Sequence, residues 1–232
     1  MPASSIELAA KRKPWHGESA DYARARDSLL AEEIDLQRQL DRVAQQRREL
    51  PPGPAVKSDY RFRDMNGAEV SLVDLFGDKD TLMTYFWMYG PERARPCPMC
   101  TNMLGPLDAN ANDLRQRIAL AIFGRSPVER QIAFAQERGW RHLRFYQTVG
   151  DSYPLDFGGL DPADGSEYPV LAVFRKSDRG EVTLFWKGEM TGDMADPGKD
   201  PRGGPDFAPL WTALDLTPDG RGETWYPKLD YD

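Results

Sequence analysis

The sequence predicts an α/β fold, a mixed β-sheet flanked by helices and preceded by a helical extension. Three observations lead there. Two nearly continuous apolar runs, Thr81–Tyr89 and Ile118–Phe123, are each followed by a helix-forming stretch. Strand–helix–strand units of this kind demand parallel strands with helices on the sheet faces. Two later apolar runs, Val170–Phe174 and Val182–Trp186, flank the turn Ser177-Asp178-Arg179-Gly180 and read as an antiparallel hairpin. Finally, Ser19–Leu50 is rich in Ala, Leu, Arg, Glu and Gln and is closed by Pro51-Pro52-Gly53-Pro54, so a long helix ends at a boundary.

Taken in order, residues 1–18 read as irregular. Within the long helix, Tyr22, Leu29, Leu36, Val43 and Leu50 recur every seven residues, widened by Leu30, Ile34 and Leu40. The other heptad core position holds Ala25, Glu32, Gln39 and Gln46, so the pattern is amphipathic rather than a complete coiled-coil seam. The stripe is expected to lie on the sheet domain or against a second subunit, a homodimer being the favoured of the two. Tyr60-Arg61-Phe62 and Glu69–Leu72 around Asn66-Gly67 predict a hairpin. Thr81–Tyr89 predicts a central strand buried on both faces. A helix is expected from about 98 to 117, disturbed at Gly105-Pro106. Ser126-Pro127-Val128-Glu129 reads as the capped start of the next helix, which Gly139 stops. Leu143–Val149 is a third strand candidate, and Ala208–Leu214 a short helix. Two long loops are expected, 150–167 and 188–206. The domain reading is thus a helical extension over 1–54 and a sheet domain over 55–232.

Composition narrows the function. The 232 residues carry 30 Lys+Arg against 37 Asp+Glu, a formal charge of -7, which disfavours nucleic acid as the main partner. No run approaches the roughly 20 apolar residues of a membrane helix. The first residues lack the basic-then-apolar order of a signal peptide, so a cytoplasmic protein is expected. With only Cys97, Cys100, His16 and His142, a four-ligand zinc site or an iron–sulfur cluster lacks its ligands. No metal or organic cofactor is expected.

The two cysteines carry the chemistry. Arg95-Pro96-Cys97-Pro98-Met99-Cys100 follows the buried strand and opens a helix. There the first thiol meets unpaired backbone N–H groups and the positive end of the helix dipole, both of which favour thiolate. Arg93 and Arg95 are expected to add electrostatic support. Cys100, one turn on, is placed to attack a mixed disulfide. Trp87, Met88, Tyr89 and Met99 read as core and rim more readily than as a ligand groove.

The strand ending Tyr85-Phe86-Trp87, the Cys97-Pro98-Met99-Cys100 motif, a helix with Pro106 and a later Tyr168-Pro169 before a strand resemble the thioredoxin superfamily. More closely, that motif with Phe123–Pro127, Arg138-Gly139-Trp140, Tyr153–Gly158 and Leu214–Pro218 resembles a bacterial thioredoxin-like family known as domain of unknown function 899, over about residues 15–225. The resemblance implies a thioredoxin-like sheet and a substrate edge formed by Pro169, as a cis-proline, with Tyr168 and Trp87. It also exposes departures. Tyr85 stands where thioredoxins keep a buried acid. Glu92 offers a replacement base but reads more readily as a solvated loop charge. Ala94 stands where peroxiredoxins keep Thr or Ser. The leading expectation is a thiol–disulfide oxidoreductase acting on protein or small-molecule disulfides, recharged by an external reductant. A thiol peroxidase using Cys97 and a non-enzymatic, redox-sensing scaffold are the alternatives.

Overall fold

The computed structural model describes every residue except 1–2, 57–58, 190–193, 195–207, 223–224 and 232. The expected loop at 188–206 therefore falls almost entirely outside the described residues. The chain divides into two compact units, Met1–Pro51 and Pro52–Asp232.

The first unit is a helical hairpin. Contrary to the irregular segment expected over 1–18, Ser5–Ala9 forms a short helix, α1. Its cause is a capping box: Ser4 Oγ accepts the Glu7 N–H, and the Glu7 carboxylate accepts the Ser4 N–H. α2 runs over Ala20–Arg48 and starts at Ser19, whose hydroxyl accepts the Tyr22 N–H. Ser5 Oγ donates to Asp35 at 2.7 Å, Arg38 to the Ala3 carbonyl at 2.7 Å and Arg12 to Asp27 at 2.6 Å. These bonds hold the N-terminal segment along α2.

The second unit is built on a seven-stranded sheet in the order β2-β1-β5-β4-β3-β6-β7. Its strands are β1 (Arg61–Arg63), β2 (Glu69–Ser71), β3 (Thr81–Phe86), β4 (Ala119–Gly124), β5 (Phe145–Thr148), β6 (Val170–Lys176) and β7 (Val182–Lys187). β3, β4 and β5 are mutually parallel, while β1, β2, β6 and β7 pair antiparallel with their neighbours. Two crossover helices join the parallel strands, α3 (Pro98–Leu114) and α4 (Val128–Glu137). Alternation along the strands makes two cores. Tyr85, Trp87, Leu120, Ile122 and Leu171 pack with Cys100, Leu104, Leu107 and Phe134 of the crossover helices. Leu82, Phe86, Ala121, Phe123, Ala172 and Phe174 pack on the other face with Phe62, Phe76, Tyr153 and Phe157. Both faces of the central strands are thereby covered, which is why their sequence reads as unbroken apolar runs.

Several local expectations need correction. α3 stays helical through Gly105 and Pro106. Leu104, Leu107 and Ala111 anchor it to the sheet on both sides of the proline, and Asn110 donates to the Pro106 carbonyl at 2.8 Å. β5 starts at Phe145 rather than Leu143, because the N–H groups of Arg141, His142 and Leu143 all donate to buried Asp108 of α3. The 150–167 segment holds a short helix, α5 (Ser152–Asp156), with Tyr153 and Pro154 buried beneath the sheet. Ser126 caps nothing. The N-cap of α4 is Pro127, and the Ser126 hydroxyl, fully buried, donates to the Gly90 carbonyl at 3.1 Å. A last helix, α6, covers Pro209–Asp215.

Candidate active site

The site forms where the chain leaves the carboxyl end of β3. Trp87 continues the strand with an N–H bond to the Phe123 carbonyl, and a loop of ten residues leads back to the start of α3. Cys97 is the N-cap residue of α3, in an extended conformation, with Pro98 at the first helical position. Its N–H donates to the Met88 carbonyl at 3.1 Å, which fixes the cap against the end of β3. The Cys97 side chain is partly exposed, whereas Cys100, one turn later, is buried in the core face.

The two thiols are pushed in opposite directions. Cys97 is lowered to about 6, first by a hydrogen bond from the Cys100 thiol, and then by the Cys100 and Met99 N–H groups and the Arg93 charge, against the cost of its partial burial. Cys100 is held well above the ordinary thiol value by that same bond to Cys97, by burial and by the neighbouring thiolate charge. Tyr85, on the core face of β3, has its hydroxyl against Cys100, and burial followed by the Cys100 charge keeps it protonated. A neutral tyrosine in this place is a hydrogen-bond donor to Cys100, not a base.

The loop before Cys97 is clamped from outside. Arg130 of α4 donates to the carbonyls of Pro91, Arg93 and Ala94, the bond to Arg93 being 2.6 Å, and its guanidinium lies 4.8 Å from the Tyr89 ring centre. Buried Glu167 accepts the Gly90 N–H at 2.9 Å and pairs with Arg93 at 3.3 Å and Arg125 at 3.5 Å. Arg125 in turn binds Asp151 at the start of α5. None of Arg130, Glu167 and Asp108 was expected to matter from sequence. A charge in a loop or on a helix face reads as solvated, and only tertiary packing shows which ones bridge segments.

The predicted site residues separate accordingly. Arg93 pairs with Glu167 at 3.3 Å and its charge adds to the lowering of Cys97. Arg95 does not: it is turned to Glu137 at 2.6 Å and packs 5.3 Å from the Phe134 ring centre, so its charge is spent on α4. Trp87 cannot touch a substrate, because it is fully buried among Tyr89, Phe134, Trp140 and Phe145 with its indole N–H donated to Gln131. Tyr168 is exposed, and Pro169 lies one residue before the Phe86–Val170 pair, at the same sheet end as the loop to Cys97. The Tyr168–Pro169 peptide is trans, as are all others among the described residues. The cis-proline expected by resemblance is absent; the trans form is the lower in energy for an X–Pro bond, and Tyr168 is held by its N–H bond to the Gly159 carbonyl. Among the described residues no three His, Cys, Asp or Glu side chains gather to hold a metal ion, and no helix is long and apolar enough to cross a membrane.

A strand–helix–strand sheet with a Cys-x-x-Cys helix leaving the end of its central strand is thioredoxin-like in architecture. The family model described as "Bacterial protein of unknown function (DUF899)" matches residues 12–232, and the chain belongs to that family. No curated protein matches it in sequence. Among solved structures it is similar to the peroxidoxin BcpB from Mycobacterium tuberculosis (19% identity, TM-score 0.44, covering 57% of this chain and 82% of that one). It is also similar to the exposed lipoprotein thioredoxin Etrx1 from Streptococcus pneumoniae (16%, 0.40, 59% and 93%) and to reduced Prx3 from Vibrio vulnificus (10%, 0.45, 63% and 92%).

Proposed function

We propose that this member of the family is a thiol–disulfide oxidoreductase in which Cys97 and Cys100 form the redox couple. The observation that carries the reading is the opposed tuning of the two thiols. One is partly exposed at a helix start and lowered to about 6, and the other is buried one turn on and raised. At neutral pH this pair is one thiolate and one thiol sharing a proton.

The Cys97 thiolate attacks one sulfur of a substrate disulfide, and the other sulfur leaves as a thiolate that takes a proton from water. Cys97 is then joined to the substrate, its negative charge is gone, and the interaction that held the Cys100 proton is gone with it. Cys100, its thiolate favoured by the donated Tyr85 hydroxyl bond, attacks the Cys97 sulfur. The substrate's second sulfur leaves as a thiolate and takes up the proton that Cys100 releases, and the Cys97–Cys100 disulfide remains. Two electrons have passed from the protein to the substrate, and an external dithiol must return them. Exposed Tyr168 and half-buried Pro169 are the sheet end on which a peptide or small disulfide would be placed, and the Arg93 charge supports the thiolate. In this reading the chain works in the cytoplasm, where such reductants are maintained, as an enzyme needing no metal or organic cofactor and no nucleic-acid or membrane partner.

Insulin reduction with a dithiol reductant tests the reading. The native chain should turn over, Cys97→Ser should be inactive, and Cys100→Ser should accumulate a mixed disulfide. Peroxide consumption without disulfide turnover would instead favour the peroxidase, and neither activity would leave a scaffold.

A further inference from the structure

The first unit leaves an apolar stripe on α2 uncovered. Tyr22, Leu29, Leu36 and Leu40 are all exposed, Leu36 at 57%, half-buried Val43 continues the seven-residue series, and exposed Leu50 follows just past the end of the helix. α1 occupies another side of the helix: the half-buried apolar positions Ala23, Leu30 and Ile34 stand about a third of a turn or more away from Leu36 at roughly 100° per residue. A seven-residue repeat keeps to one face only against a second helix that winds with it. That points to a helix as the partner rather than a flat surface.

The charges choose which helix and which direction. Asp27, Asp35 and Arg38 are bonded to the N-terminal segment. Of the remaining charges, α2 carries Asp21, Glu32 and Glu33 against Arg24 and Arg26 in its first half, and Arg42, Arg47 and Arg48 against Asp41 in its second. A parallel copy of α2 would set like charge on like, whereas an antiparallel copy sets the acidic half on the basic half. The stripe has the matching symmetry, because Leu29 and Val43 are equally distant from Leu36, as are Tyr22 and Leu50.

We propose that α2 pairs antiparallel with α2 of a second copy of this chain, on a two-fold axis at Leu36. Leu36 then meets its own counterpart, Leu29 meets the partner's Val43, and Tyr22 reaches toward the partner's Leu50 just past the end of its helix. About this axis residues 24–48 of the two helices face each other, a contact of about 38 Å. The pairing is independent of the thiol chemistry.

Cysteine cross-linking in a Cys97→Ser, Cys100→Ser background tests it. On mild oxidation Leu36→Cys should form a covalent dimer. Leu29→Cys alone and Val43→Cys alone should form little, and an equal mixture of the two should cross-link. In the native chain, sedimentation should show twice the 26.3 kDa chain mass. Leu36→Glu, with helical circular dichroism unchanged, should weaken the dimer by at least about a hundredfold, since it removes two buried leucines and opposes two carboxylates. A monomer at micromolar concentration, a dimer that survives Leu36→Glu, or Leu29→Cys cross-linking alone as fully as Leu36→Cys would each overturn the proposal.

Discussion

Two cysteines three residues apart differ in reactivity because a single helical turn moves the sulfur from a partly exposed cap into the core. Alkylation by iodoacetamide should therefore follow a titration near 6 for Cys97, while Cys100 stays slow across neutral pH. Equal, slow rates for both would remove the redox reading. The shift also acts on stability. Cys97 has a folded value below its ordinary 9.0, so its contribution is full above that value and is lost as pH falls through about 6. Cys100 acts in the opposite sense, its contribution being present below the ordinary value and lost as pH rises. Urea unfolding of the reduced parent should show this acid-side loss, and Cys97→Ser should lack it. Tyr85→Phe keeps the packing and removes the hydroxyl beside Cys100. A hydrogen bond to a charged group is worth about 1.5–3 kcal/mol, so resolution of the mixed disulfide should slow by roughly ten- to a hundredfold. The first attack by Cys97 should be much less affected, and stopped-flow with a chromogenic disulfide separates the two steps.

At the scale of elements, the reactive loop owes its shape to segments distant in sequence. α4 supplies Arg130, and the strand-leading segment before β6 supplies Glu167. Glu167→Ala strips the charge that two arginines and the Gly90 N–H share. Breaking a buried pair costs about 3–5 kcal/mol, less where a partner is solvated, as Arg93 is here. A loss of about 2–3 kcal/mol in chemical denaturation is expected. Gly90→Ala should destabilise by the same route, since a Cβ there would push the Glu167 carboxylate off its partners. Arg93→Ala should raise the Cys97 pKa by less than about one unit, because a partly exposed guanidinium is screened. Arg95→Ala should leave it unchanged, as that side chain is committed to Glu137. Alkylation of the two variants against pH distinguishes the loop arginines.

For the whole molecule, the division at Pro51–Pro52 implies that the sheet unit holds its fold without the helical one. Both of its cores are closed by residues from Val56 onward. A chain starting at residue 52 should unfold in a single cooperative transition and keep the alkylation profile of Cys97. Loss of either would mean that the sheet unit depends on the helices.

Sequence alone determined the order of strands and crossovers, the long helix and its proline stop, and the Cys-x-x-Cys at a helix start. Each of these is written in a local pattern: a fully apolar run, a seven-residue repeat, a cysteine pair after a strand. It also held the Ser4–Glu7 cap in plain view, a short signal outweighed by an otherwise polar segment. Tertiary structure decided which nearby groups act. Arg93 and Arg95 are alike in sequence, yet the charge of one lowers Cys97 and the other is turned to Glu137. Trp87 reads as a rim residue until Gln131 and four aromatic neighbours enclose it. Asp108, Glu167 and Arg130 look like surface charges until three N–H groups, two arginines and three carbonyls converge on them. Local patterns report what a segment tends to form, because propensity and burial periodicity act within a few residues. Partners across the sheet are chosen by packing, which brings together residues far apart in the chain and leaves no trace in the spacing of any one segment.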